Sequence, residues 1–115
     1  MAKRNAEDKY FLVARQMPYA SNMIKDLAYA LRAKVNDLVM VLGNVTNDKP
    51  TLTIMLGDEI VAKGVDAGAV VREAAKLING GGGGQKHYAT AGGKNVDGLQ
   101  EAIDKAVALI MEKLN

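Results

Sequence analysis

The chain has 115 residues, enough for one domain with a single core. Its 49% hydrophobic content excludes a disordered tail, and its formal charge of +2 is too small to demand a nucleic-acid partner, although a local patch is still allowed. With no cysteine there is no disulfide frame, thiolate nucleophile or thiolate-bound zinc, and no apolar run approaches the roughly 20 residues of a membrane span.

Residues 1–9 are polar and read as a flexible segment, and Met1-Ala2-Lys3-Arg4 does not open a signal peptide. The first expected strand is 10–17, ended by Pro18. Ser21 then caps a helix with Ile24, Leu27, Ala28, Leu31 and Val35 at helical spacing. Residues 37–45 make the most hydrophobic strand, with continuous apolar residues from Leu38 to Leu42, which predicts burial on both faces. Asn47-Asp48-Lys49-Pro50 makes a turn, and 51–56 returns as the second strand of a hairpin.

Gly57-Asp58 opens a short helical turn that Gly64 closes. Asp66 caps a further helix, with Val70, Ala74, Leu77 and Ile78 on one face and Gly80 at its C-terminal glycine position. A glycine run follows, then a short strand over 87–91. Asp97-Gly98-Leu99-Gln100 has the form of a capping box and starts the last helix, whose inward residues are Leu99, Ala102, Ile103, Ala106, Val107, Ile110 and Leu114. The expected fold is α/β: a mixed sheet of about four strands with helices packed on it, in the order β-α-β-β-α-β-α. The initial β-α-β unit implies one right-handed parallel crossover.

Seven of the 12 glycines fall within residues 80–93. Glycine brings no side chain to a core and loses the most backbone entropy on folding, so such a run is either slack or a place of close approach. Only some 30 residues follow it, too few to fold alone, so the run reads as a loop inside the domain. Bare backbone N–H groups there can converge on a phosphate. Lys86, His87 and Lys94 flank the run and can add charge, and Tyr88 can either stack on a base or pack on the fold. Arg72 and Lys76, just ahead of it, form a possible basic rim or simply a solvated helix end. Tyr29, Arg32 and Lys25 on the first helix are weaker candidates of the same kind. The run is neither a Walker A loop nor a dinucleotide fingerprint, because no Gly-Lys-Ser/Thr ends it and no strand–loop–helix unit surrounds it. One histidine without a nucleophile and an orienting acid makes no catalytic triad, so no catalytic and no metal-binding residues are assigned.

Gly82-Gly83-Gly84, four residues, Ala89-Thr90-Ala91-Gly92-Gly93 and an Asp97-started terminal helix together resemble the globular part of the C-terminal domain of alanyl-tRNA synthetases, a member of the DHHA1 group. The upstream strand ending Val-Leu-Gly, the hairpin and 58–64 fit the same pattern, so the resemblance runs from about residue 10 to the C-terminus. It implies a DHHA1-like domain over 10–115 that contacts RNA near the elbow of tRNA(Ala) and helps couple aminoacylation to editing. The implied contacts are Gly80, Gly81, Gly82, Gly83, Gly84, Lys86, His87, Tyr88, Lys94, Arg72 and Lys76. It also implies a non-catalytic, monomeric, cytoplasmic fragment that needs no cofactor of its own. The family's ATP, Mg and zinc would belong to other domains, and those domains would be its protein partners. The chain accordingly reads as an excised piece, with Met1 added as a start. Gln85-Lys86-His87 departs from the Arg-Pro-Asp frequent after the glycines, which leaves the side-chain contacts less defined than the backbone ones. Two other readings stay open: the substrate-binding half of a DHH-type phosphodiesterase, whose glycines run directly into His, and a protein-interaction module.

Overall fold

The computed structural model describes residues 2–4, 11–16, 21–46 and 48–114. Among them six strands form one mixed sheet in the order β1-β2-β3-β4-β6-β5. The strands are β1 (Ala2–Arg4), β2 (Phe11–Gln16), β3 (Leu38–Thr46), β4 (Lys49–Leu56), β5 (Gly81–Gly84) and β6 (Tyr88–Gly92). The helices are α1 (Ser21–Lys34), the short α2 (Asp58–Ala62), α3 (Ala67–Ala75) and α4 (Leu99–Leu114).

The expected crossover and hairpin are both present. β2 and β3 pair in parallel with α1 between them, and β3 pairs antiparallel with β4. Residues 38–44 of β3 are buried on both sides, as their apolar run requires, whereas Val45 is 45% exposed. Alternation along the strands sends Val39, Val41, Leu52, Ile54, Leu56, Ala89 and Ala91 toward α3 and α4. The opposite set, Val13, Leu38, Met40, Leu42 and Met55, meets Ile24 and Ala28 of α1. The result is three layers, with two long helices below the sheet and α1 alone above it.

The structure differs from the sequence expectation in several places. The sheet has six strands among the described residues instead of about four. Ala2–Arg4, within the segment read as flexible, pairs antiparallel with β2; residues 5–10 and the predicted strand end at 17–20 lie outside the described residues. The glycine run is not a loop: Gly81–Gly84 is an edge strand, in register Gly81↔Gly92, Gly82↔Ala91, Gly83↔Thr90 and Gly84↔Ala89 with β6. The left-handed residue that ends the α3 helix and its 3-10 extension is Asn79 (φ 53°), not Gly80. Gly80 N–H instead reaches back to Ala75 O at 3.0 Å while Asn79 N–H bonds Lys76 O, the paired closure of a Schellman motif. Leu27, assigned to the inner face of α1, is 36% exposed.

The cap expected at Asp66 is present, whereas Asp97, expected to open a capping box, lies inside a 3-10 turn ahead of α4. The Asp66 carboxylate accepts from Gly68 N–H at 2.9 Å and Ala69 N–H at 3.4 Å, satisfying two orphan donors at the start of α3. Arg32 donates to Leu56 O at 3.0 Å and pairs with Asp58, so it ties α1 to the β4–α2 corner. At the other end of the fold, a 3-10 turn, Val96–Gly98, leads into α4.

Candidate nucleic-acid interface

The β5–β6 hairpin is fastened along its length. Ala67 N–H donates to Lys86 O (2.9 Å) and Leu56 N–H to His87 O (2.7 Å) at the tip. Lys94 and Asn95 N–H both donate to Ile78 O (2.8 and 2.9 Å) at the base, and Gly93 N–H donates to Pro50 O (3.0 Å). A glycine ribbon thus becomes a rigid shelf.

Cross-strand neighbours share a face, so register shows what the α1 side of this shelf presents. One row is Met55–Tyr88, the next Thr53–Thr90–Gly83, and the last Thr51–Gly92–Gly81. α1 stands over the first row. In the other two, Thr53 is buried, while Thr51, Thr90 and the glycines offer hydroxyls and bare backbone, unlike the aliphatic surface on the α3/α4 side. A groove of about 380 Å³ over the middle row is lined by Lys25, Tyr29, Gly83, Gly84, Gln85, Tyr88 and Thr90. A second, of about 470 Å³, lies over the last row between Lys49, Thr51, Gly80, Gly92 and Lys94.

Aromatic rings gather at the α1 end. Tyr29 and Tyr88 lie 5.4 Å apart at 42°, and His87 meets Tyr29 edge-on at 6.3 Å. Tyr88 is half-buried, and burial, reinforced by repulsion from Tyr29, pushes its phenol above the ordinary 10.0. Tyr88 therefore packs on the fold beneath α1 while one side of it borders the groove.

The sequence-derived residues fall around this surface unevenly. Gly81 and Gly83 lie in its rows, and Gly80, Gly83, Gly84, Tyr88 and Lys94 line its grooves; Gly82 shares its row with Ala91 of the α3/α4 side, and His87 meets Tyr29 beside the groove. Lys86 is exposed at the hairpin tip. Arg72 reaches over from α3, its Nη1 3.8 Å from where a Cβ on Gly83 would stand. Lys76 is paired with Glu73 at 3.2 Å, so its charge is partly committed. Of the weaker candidates, Lys25 and Tyr29 border the groove and Arg32 does not. Lys49, Thr51 and Thr90 were not foreseen. Only the pairing of β4 with β6 brings them together, and no local sequence signal reports that pairing. Among the described residues no group of three His, Cys, Asp or Glu side chains is placed to hold a metal ion. No described helix is long and apolar enough to cross a membrane.

The model of the family described as "DHHA1 domain" matches residues 8–113. The chain belongs to the DHHA1 domain family. Among its relatives, an alanine–tRNA ligase of Bacteroides thetaiotaomicron is 53% identical over 93 residues, covering 80% of this chain and 11% of that protein. The alanine–tRNA ligase of Natranaerobius thermophilus is 41% identical over 105 residues, 90% of this chain and 12% of the relative. This DHHA1 chain thus spans about a tenth of the length of those ligases. Its fold is similar to the crystal structure of the C-Ala domain from Aquifex aeolicus alanyl-tRNA synthetase, with TM-score 0.77, 29% identity, and 99% of this chain and 97% of that one covered.

Proposed function

We propose that this DHHA1 domain is a non-catalytic tRNA-binding module of an alanine–tRNA ligase. In this reading it holds the elbow of tRNA(Ala) and helps present one tRNA to the aminoacylation and editing domains of the parent enzyme. The supporting observation is the α1-side face of β4, β6 and β5. It is open, made of hydroxyls and bare backbone, and bordered by Lys25, Lys49, Lys94 and two tyrosines. A phosphodiester strand needs cations to neutralise it, a floor that its backbone can approach, and rings for its bases, and all three meet there. Net charge does not oppose the reading, since a patch of lysines governs encounter more than the whole-molecule sum.

Fluorescence anisotropy with labelled tRNA(Ala) tests it. Binding should weaken steeply as salt rises, because each neutralised phosphate releases counterions. Replacing Lys86 and Lys94 together by Ala should lower the slope of log K against log salt by about 1 for each phosphate that is no longer neutralised. A flat salt dependence, or no binding at low salt, would sink the proposal.

A further inference from the structure

We infer that Asn79–Gly80 is a latent deamidation site that the closed end of α3 holds unreactive and that converts irreversibly once this end opens. The inference does not depend on RNA binding.

Asn79–Gly80 is the one Asn-Gly pair in the sequence. Glycine leaves its own amide nitrogen unshielded, so this pair cyclises more readily than asparagine before any bulkier residue. The fold imposes both members. A Cβ on Gly80 would overlap the Gly92 carbonyl. Residue 79 is left-handed, a conformation that glycine and asparagine adopt most easily. Both residues are exposed, so water reaches them.

The reaction consumes only water. The Gly80 amide nitrogen gives up its proton and attacks Asn79 Cγ. The N–Cγ bond forms, the Cγ–Nδ2 bond breaks, and Nδ2 leaves as ammonia. Water then opens the cyclic imide. Opening at Cγ leaves aspartate, and opening at the main-chain carbonyl leaves isoaspartate, with the chain running through Cβ and Cγ.

Two features of the closed corner block the first step. Ring closure needs Asn79 Cβ and Gly80 N on the same side of the bond from Cα to the carbonyl carbon. At φ 53° and ψ 47° Cβ is instead pressed toward the residue's own carbonyl oxygen, so Gly80 N lies on the far side, out of bonding reach of Cγ. The proton that must leave is also engaged, because Gly80 N–H donates to Ala75 O at 3.0 Å. The corner is pinned from outside as well. Lys94 and Asn95 N–H donate to Ile78 O, and Asn95 Nδ2 donates to Leu77 O at 3.3 Å. Isoaspartate adds a methylene to the main chain between the Asn79 and Gly80 N–H groups. Those groups are spaced to reach Lys76 O and Ala75 O together, so the lengthened chain cannot restore both bonds.

The test is incubation at mildly alkaline pH, folded and in urea, followed by mass mapping of the tryptic peptide 77–86. A synthetic 77–86 peptide gives the unguarded rate. The chain in urea should convert at the peptide's rate, and the folded chain at least about tenfold more slowly, because reaction waits for local opening. Asn95→Ala, which removes the bond to Leu77 O, should speed conversion in the folded chain about fivefold, the usual worth of one hydrogen bond. The isoaspartyl chain, separated and refolded, should melt below the untreated chain. Asn79→Gly keeps the left-handed backbone and should show no conversion in this peptide. A folded chain that converts at the peptide's rate overturns the inference, as does an Asn95→Ala rate equal to wild type. Equal melting of the isoaspartyl and untreated chains, or conversion that persists in Asn79→Gly and so belongs to Gln85, overturns it too.

Discussion

At the scale of single residues, the structure separates positions that hold the fold from positions that are free to serve a ligand. Asp66 is of the first kind. Its carboxylate closes the start of α3 and belongs to no groove on the sheet's open face. Asp66→Ala should therefore lower stability by about 1 kcal/mol, the usual worth of such a cap, with tRNA binding unaltered. A urea melt beside an anisotropy titration would show whether the two effects separate. Tyr88 is of both kinds, and its titration reports the fold. Its phenol is raised in the folded chain, so its contribution is intact below the unfolded value of 10.0 and is lost as pH climbs from there through the folded value. Stability of the wild type should fall as pH rises above 10, and Tyr88→Phe should fall less steeply. Parallel denaturation curves for the two chains at alkaline pH would contradict that account.

At the scale of elements, the legible and the illegible parts divide by what encodes them. The β3–β4 hairpin and the crossover through α1 were readable, because apolar periodicity and turn residues act locally. The α3 cap at Asp66 was readable for the same reason. β5 was not: four glycines carry no alternation and little strand propensity. They form a strand because β6 pairs with them, α3 lies against them and both hairpin ends are tied to the fold. The same blindness hid the site. The glycine run marks one part of the candidate face, but Lys49, Thr51 and Thr90 join it only through the β4–β6 register. The structural role of β5 yields its own prediction. Gly82→Ala drives a methyl group into β6 backbone, which cannot yield as a flexible side chain does, and should cost about 1–3 kcal/mol. Gly83→Ala should cost nothing or stabilise slightly. Equal melting temperatures for these two variants would show that β5 does not pair as described.

At the scale of the whole molecule, the two faces of the sheet divide the labour. The side under α3 and α4 holds most of the buried aliphatic residues, whereas part of the α1 side is left open. Ile103 lies near the middle of the filled side. It is 1% exposed, and its Cδ1 would be 2.9 Å from a Cβ placed on Gly43, so α4 lies close against β3 there because Gly43 has no side chain. Ile103→Ala leaves a cavity between helix and strand that neither can easily close, at a cost of about 2–5 kcal/mol. That is a large share of the stability expected of a domain this size. The groove residues Tyr29, Gly83 and Thr90 stand on the opposite face and share no partner with Ile103, and distant sites of this kind add independently. Below its lowered melting temperature, the Ile103→Ala chain should bind tRNA with wild-type affinity and an unchanged salt slope. Guanidinium unfolding followed by anisotropy at a temperature where the variant remains folded would measure both quantities. A variant that stays folded but loses affinity would mean that the filled side also helps bind RNA, and the division between the faces would have to be abandoned.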